Sequence, residues 1–223
     1  VEGDALAFAH DLARQFGGRV TSHKRFNTAK WQIKDIHKNL LEKMGCANDS
    51  STEIPDALDF ISARTEFYDH PTALPTVERS SIKLDLHRRD FTINTLALRL
   101  DGHHYAELYD YWGGLQDLEK KQVRVLHSLS FVDDPTRLLR AVRFEQRFQF
   151  KIEDRTLKLM GEAGELLHQL SGERIYHEFY LIFNEADPLP ILRRLEELAL
   201  LREIHTGLCW KPGFETAFQE SIR

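Results

Sequence analysis

The sequence predicts an α+β fold: a mixed helix-and-strand part up to about residue 110, a transition, and an all-helical part beyond it. Three observations carry this. Stretches rich in β-branched and aromatic residues, "GRVTSHKRFNTAKWQI" (18–33) and "DALDFISART" (56–65), lie in the first half. After "DDP" (133–135) the apolar spacing is helical almost to the end of the chain. Basic residues cluster in the middle, between Arg79 and Arg147, whereas acidic residues outnumber basic ones from Lys151 onward.

In chain order, Ala5 to Phe16 has helical apolar spacing and stops at Gly17 and Gly18, which predicts a helix with a glycine C-terminal cap. A Gly-Gly pair can also cradle phosphate, but this one follows a helix, so the cap is the expected role. The two β-rich stretches then read as strands, separated by the polar run "CANDSSTE" (46–53). "NTLALRL" (94–100), "HHYAELYDYW" (103–112) and "QVRVLH" (122–127) read as further short strands or sheet edges. Asp134 and Pro135 have N-cap and first-turn chemistry, so a helix is expected to begin there. "ILRRLEEL" (191–198), "ELAL" (197–200) and "LLREIH" (200–205) are amphipathic helical segments expected to supply core.

Composition narrows the function classes. The 42% hydrophobic and 29% charged residues match an ordinary globular protein. No apolar run approaches the roughly 18 residues of a membrane span, and the start lacks signal-peptide features, so no membrane is expected and a cytoplasmic setting is the expectation. Cys46 and Cys209 stand far apart with no second cysteine near either, which argues against a disulfide framework or a zinc site and for free thiols. A formal charge of −5 disfavours a protein that coats nucleic acid, so any phosphate site must come from local clustering.

Two clusters stand out. "HRRDFTIN" (87–94) sets Arg88, Arg89 and Asp90 before a short apolar stretch, and "SFVDDPTRLLRAVRFEQRFQF" (130–150) carries Asp133, Asp134, Arg137, Arg140, Arg143 and Arg147. At about 100° per residue, Arg137 falls about 60° from Asp134, beside Ala141, Phe144 and Phe148, while Arg140, Arg143 and Arg147 share another arc of about 60°. Charges beside an apolar stripe are costly without a partner or a ligand. A guanidinium next to a carboxylate offers both donors and acceptors to a nucleobase edge. The alternative is that Asp134 only caps the helix and Arg137 pairs with a neighbouring acid; the residues by themselves leave both open.

Taken together, "LDFISARTEFY" (58–68), "RRDFTIN" (88–94), "DDPTRLLRAVRF" (133–144) and "SGERIYHEF" (171–179), with "VEGDALAFAHDLA", "GGRVTSHKRFNTA" and "GGLQDLEKKQVRVLH" in order, resemble the bacterial-type (class II) tRNA nucleotidyltransferase and poly(A) polymerase family. The resemblance runs from Val1 to about Phe179. It implies a polymerase-β-like nucleotidyltransferase head, incomplete at its N-terminus, over 1–110, a nucleotide-binding neck over 111–172, and the start of a helical RNA-binding body over 173–223. The implied activity is template-independent addition of CMP or AMP, from CTP or ATP, to the 3′ end of tRNA, by attack of the RNA 3′ hydroxyl on the α-phosphate with magnesium (Mg2+) assistance. A poly(A) polymerase, or a non-catalytic nucleotide- or RNA-binding module descended from such enzymes, are the alternatives. CCA, CC and A addition are not distinguished, and oligomeric state is left open.

Residue by residue, the resemblance puts Arg88, Arg89, Asp90 and Asn94 at the ribose and triphosphate. It puts Asp134 and Arg137 at the incoming base, with Asp133, Arg140 and Arg143 beside them. Asp59 corresponds to a third, catalytic carboxylate at the metal, on the strand face opposite Leu58 and Phe60; the competing account is a salt bridge to a base such as Arg64. Glu173, Arg174 and Glu178 match a segment that braces the neck helices. The family's paired metal-binding aspartates would lie before Val1, so this chain is expected to be part of a longer protein and to transfer no nucleotide by itself. His103 and His104, in a hairpin turn, are not expected to bind metal, and "AHD" (9–11) is set aside as a metal pair because no partner set accompanies it.

Overall fold

The computed structural model describes residues 1–45, 54–67, 76–211 and 213–222. They divide into two compact units, one comprising Val1–Phe67 and Thr76–Arg88, the other beginning at Arg89.

The first unit opens with α1 (Ala5–Phe16), whose N-cap Asp4 accepts from the Leu6 and Ala7 N–H groups. Gly17 closes it at φ 91°, its N–H donating to Ala13 O. Gly18 follows at φ 86°, where a Cβ would stand 2.6 Å from Gln32 O, so backbone crowding explains the pair without a ligand. β1 (Arg19–His23), β2 (Thr28–Gln32) and β3 (Ala57–Ile61) form an antiparallel sheet in that order. Val20 and Phe60 join Leu12 and Phe16 of α1 around the buried Trp31, Ile33 and Leu40. Arg19, Thr21, His23, Lys30, Gln32 and Asp59 are exposed. The unit is completed by α2 (His37–Met44), the hairpin of β4 (Arg64–Phe67) with β5 (Thr76–Arg79), and α3 (Ile82–His87).

In the second unit, β6 (Ala97–Leu98) pairs with β7 (Leu108–Tyr109), followed by α4 (Gly114–Glu119) and β8 (Gln122–Val123). Next come α5 (Ser130–Asp133), α6 (Thr136–Phe148), β9 (Lys151–Ile152), which pairs parallel with β8, and α7 (Asp154–Ala163). α8 (Gly172–Phe183), α9 (Leu189–Glu197), α10 (Leu200–Ile204) and α11 (Phe214–Ile222) follow. Leu138, Leu139, Ala141 and Val142 of α6 are fully buried in a core shared with Phe91, Phe131, Met160, Ile182, Ile191 and Leu195. α6 thus packs against both α8 and α9, which fixes what its polar face meets.

The expected strands at 18–33 and 56–65 are present. The later ones shrink to two-residue strands; ahead of β6, "FTINT" forms a 3-10 turn (Thr92–Thr95) whose buried Thr95 hydroxyl donates to Thr92 O. His103 and His104 lie in a 3-10 turn between β6 and β7. The helix expected from Asp134 begins at Thr136, after the extra turn α5. Cys209 is a free thiol, whereas Cys46 lies outside the described residues. No helix among the described residues is long and apolar enough to cross a membrane.

Candidate functional site

The site is built at the α5–α6 turn. Asp134 sits in extended backbone between the two helices (φ −144°, ψ 95°). Its Oδ1 accepts from the Thr136 N–H at 3.0 Å and the Thr136 hydroxyl at 2.6 Å, which starts α6, and from Arg174 Nη2 of α8 at 2.5 Å. Arg137, one turn on and only 6% exposed, donates through Nη1 to Ser130 Oγ at 2.8 Å and Ser130 O at 3.2 Å. Ser130 O also accepts the Asp134 N–H at 3.3 Å. One buried carbonyl therefore ties Asp134 and Arg137 together. Helix initiation accounts for part of what Asp134 does, and Ser130 accounts for part of what holds Arg137.

The "RRDFTIN" segment closes on itself. Asp90, 7% exposed, accepts through Oδ1 from its neighbour Phe91 N–H at 2.9 Å and from Asn94 Nδ2 at 2.8 Å. Through Oδ2 it accepts from Arg140 Nε at 2.9 Å and Nη2 at 2.5 Å. Arg89 Nη1 donates to Asn94 O at 3.3 Å. Burial pushes the Asp90 carboxyl up, but the Arg140 charge and the bonds from Asn94, Arg140 and Phe91 outweigh it and hold the pKa below the ordinary 3.8.

Arg140, Arg143 and Arg147 follow one another along the polar face of α6, as their spacing predicts. Phe144 supports the first two, with guanidinium carbons 5.6 and 5.4 Å from its ring centre. Arg140 Nη1 lies 4.0 Å from Glu178 Oε1, Arg143 Nη2 lies 3.8 Å from Glu178 Oε2, and Glu185 stands 3.4 Å from Arg143 and 3.5 Å from Arg147. Asp133 stands apart, 3.8 Å from His127. The sequence assigned Arg174 and Glu178 to bracing; the structure puts them, one helical turn apart on α8, against Asp134 and Arg140. Ser130 and Glu185 were missed. Only spacing could have flagged them: Ser130 precedes Asp134 by four residues and Arg137 by seven, and Glu185 follows Glu178 by seven.

Arg88 and Asp59 belong to the first unit. Arg88 donates to Asp85 at 2.8 Å, Glu66 at 2.8 Å and Arg64 O at 3.3 Å. Asp59 faces Lys30, its partner across β2 and β3, at 3.7 Å, and Arg64 pairs with Glu66 at 3.2 Å, so the basic neighbour of Asp59 is Lys30 and not Arg64. Among the described residues no three His, Cys, Asp or Glu side chains gather as a metal site. One exposed carboxylate beside a lysine does not make the octahedral oxygen cage of a small divalent ion, so the described residues do not by themselves hold one.

A sequence family described as the poly(A) polymerase head domain matches residues 7–124, and one described as a probable RNA- and SrmB-binding site of polymerase A matches residues 149–210. The chain belongs to the tRNA nucleotidyltransferase and poly(A) polymerase family. Within it, the chain is 44% identical over 215 residues to an A-adding tRNA nucleotidyltransferase of Geobacter sulfurreducens, covering 96% of this chain and 22% of that protein. It is 42% identical to the A-adding tRNA nucleotidyltransferase of Halalkalibacterium halodurans, covering 89% of this chain and 43% of that one. A CCA-adding enzyme structure superposes with a TM-score of 0.85 at 36% identity, over 100% of this chain and 48% of the other. The chain thus spans less than half of each of these family members. The polymerase-type α+β head followed by helices, expected from the sequence, is the fold of this family.

Proposed function

We propose that the protein is a tRNA nucleotidyltransferase, and that this chain carries its nucleotide-selecting part. The domain reading is a head over 1–110, a neck over 111–172 and the start of an RNA-binding body over 173–223. The observation that carries the proposal is the joint anchoring of Asp134 and Arg137 on Ser130 O: it sets a carboxylate and a guanidinium one helical turn apart at the head of α6. A carboxylate accepts from the exocyclic amine of adenine or cytosine, and a guanidinium donates to the ring nitrogen beside it. Guanine and uracil present a carbonyl where the amine would be and an N–H where the ring acceptor would be, so the pair opposes them.

Asp90 and Asn94 hold the ribose, Arg88 and Arg89 meet the triphosphate, and Arg140 and Arg143 support from α6. The 3′ hydroxyl of the RNA attacks the α-phosphate, the new phosphodiester forms, and pyrophosphate leaves. Magnesium is the proposed divalent ion, with Asp59 offering one carboxylate. Among CCA, CC and A addition, the likeness to A-adding relatives along most of this chain favours transfer of AMP from ATP. The test is incubation of the protein at its natural full length with tRNAs lacking one, two or all three terminal CCA nucleotides, each with CTP or ATP alone. Extension of the tRNA ending in CC by ATP supports A addition; extension of the shorter tRNAs by CTP redirects the reading to CC or CCA addition, and no extension of any removes it.

A further inference from the structure

The face of α8 that meets α6 carries a buried acid that its neighbours leave incompletely satisfied. Glu178 is 5% exposed, yet both of its nearest cations stand beyond hydrogen-bond reach, Arg140 at 4.0 Å and Arg143 at 3.8 Å. Among the described residues its Oε2 has no hydrogen-bond partner, and neither has the buried Arg143 Nε. Buried polar atoms are nearly always paired, and a carboxylate held by charge alone is expensive, so this arrangement calls for a reason. Burial pushes the Glu178 carboxyl up, against the downward pull of Arg140, Arg143 and His177.

The reason lies in the order of charges. Asp90, Arg140, Glu178, Arg143, Glu185 and Arg147 alternate in sign along one seam of α6. Arg140 is the shared member: both nitrogens it gives to Asp90 go to a single oxygen, while its Nη1 points to Glu178. Moving that guanidinium by about 1 Å would turn a 4.0 Å approach into a hydrogen bond of ordinary length and loosen its hold on Asp90.

We infer that Glu178 is a positioning residue for the nucleotide site, acting through Arg140: it sets how firmly Arg140 holds Asp90, and with Asp90 the carboxamide of Asn94. The inference rests on the proposed function, in which Asp90 and Asn94 meet the ribose. When a ribose engages Asp90, Arg140 shifts toward Glu178 and closes the 4.0 Å approach to hydrogen-bond length. Glu178 touches no substrate in this account.

The test uses the full-length protein with ATP and CTP, comparing wild type, Glu178→Gln, Glu178→Asp, Arg140→Ala and Glu178→Gln combined with Arg140→Ala. Gln keeps the shape and removes the charge. Expected are a rise in nucleotide KM on the order of tenfold with a smaller change in kcat, partial recovery in Glu178→Asp, and no further effect of Glu178→Gln once Arg140 is gone. A brace alone would instead lower the melting temperature and leave KM per folded molecule unchanged; that result overturns the inference, as does an equal effect of Glu178→Gln with and without Arg140. Wild type that transfers no nucleotide but binds ATP refutes the proposed function, and the inference is then read from ATP affinity across the same variants. Wild type that does neither removes both.

Discussion

Arg140 holds Asp90 through two nitrogens on one carboxylate oxygen, Nε at 2.9 Å and Nη2 at 2.5 Å, and so links the "RRDFTIN" segment to α6 across 50 residues of sequence. With Asp90 only 7% exposed, the contact works in a largely dry setting where a charged pair needs its hydrogen bonds to offset desolvation. The bonds to Asn94 and Phe91 saturate the other oxygen. A residue proposed to meet a ribose is therefore preoriented by three protein partners.

That geometry sets a pH dependence. The Asp90 pKa is lowered in the fold, so its contribution to stability is present above the ordinary 3.8 and is lost as pH falls through the lowered value. Asp90→Asn should cost about 2 kcal/mol near neutral pH, by leaving Arg140 with a neutral partner, and should flatten the acid limb. Melting curves of both proteins across the acid range check this; parallel acid limbs would mean that Asp90 is not a group whose protonation weakens the fold.

Asp117 is a structural counterpart. It is 3% exposed and accepts from the Thr92 hydroxyl at 2.5 Å and Arg124 Nε at 2.8 Å, while Arg124 Nη2 donates to Trp112 O at 3.0 Å. Asp117→Ala strands a partly buried guanidinium and should destabilise by about 3 kcal/mol. Choice among nucleotides, measured per folded molecule, should not change. A change in that choice with normal melting would assign Asp117 to the site.

Asp59 makes the opposite demand. It is exposed on β3 and its partner Lys30 stands 3.7 Å away, so Asp59→Asn should barely move the melting temperature. If Asp59 is a metal ligand, turnover should fall steeply and the magnesium requirement should shift. Turnover across a magnesium titration, normalised to folded protein, decides; normal turnover at every concentration removes Asp59 from the catalytic set.

The strands β1 to β3 were legible because β-branched and aromatic residues are dense there. α2, α3 and α4 were not. Their sequences, "HKNLLEKM", "IKLDLH" and "GLQDLE", are short and at least half polar, and their ends are set by groups that periodicity does not weigh: the left-handed Gly45, the Ser81 hydroxyl, and the Asp110 carboxylate on the Gly114 and Leu115 N–H groups. At the site, the spacing of Asp134, Arg137, Arg140 and Arg143 was readable because one helix carries it. The contacts of Asp90 with Arg140, of Arg174 with Asp134, and of Glu178 with α6 join residues at least 35 positions apart. They arise from how α6 packs against its neighbours and leave no local mark in the sequence.

The central claim is that Asp134 and Arg137 choose the nucleotide. It is tested most directly by single-nucleotide incorporation with all four triphosphates, comparing the full-length protein with Arg137→Ala and recording melting curves of both. A charge-assisted hydrogen bond is worth about 1.5 to 3 kcal/mol, so discrimination against the wrong bases should fall roughly 10- to 150-fold. Because Arg137 also bonds to the buried Ser130, some stability will be lost with it, and rates must be expressed per folded molecule. Wild type that prefers ATP or CTP, with that preference flattened in Arg137→Ala, is the predicted result; unchanged discrimination in the folded variant would contradict the account and leave Arg137 as a structural anchor of the α5–α6 turn.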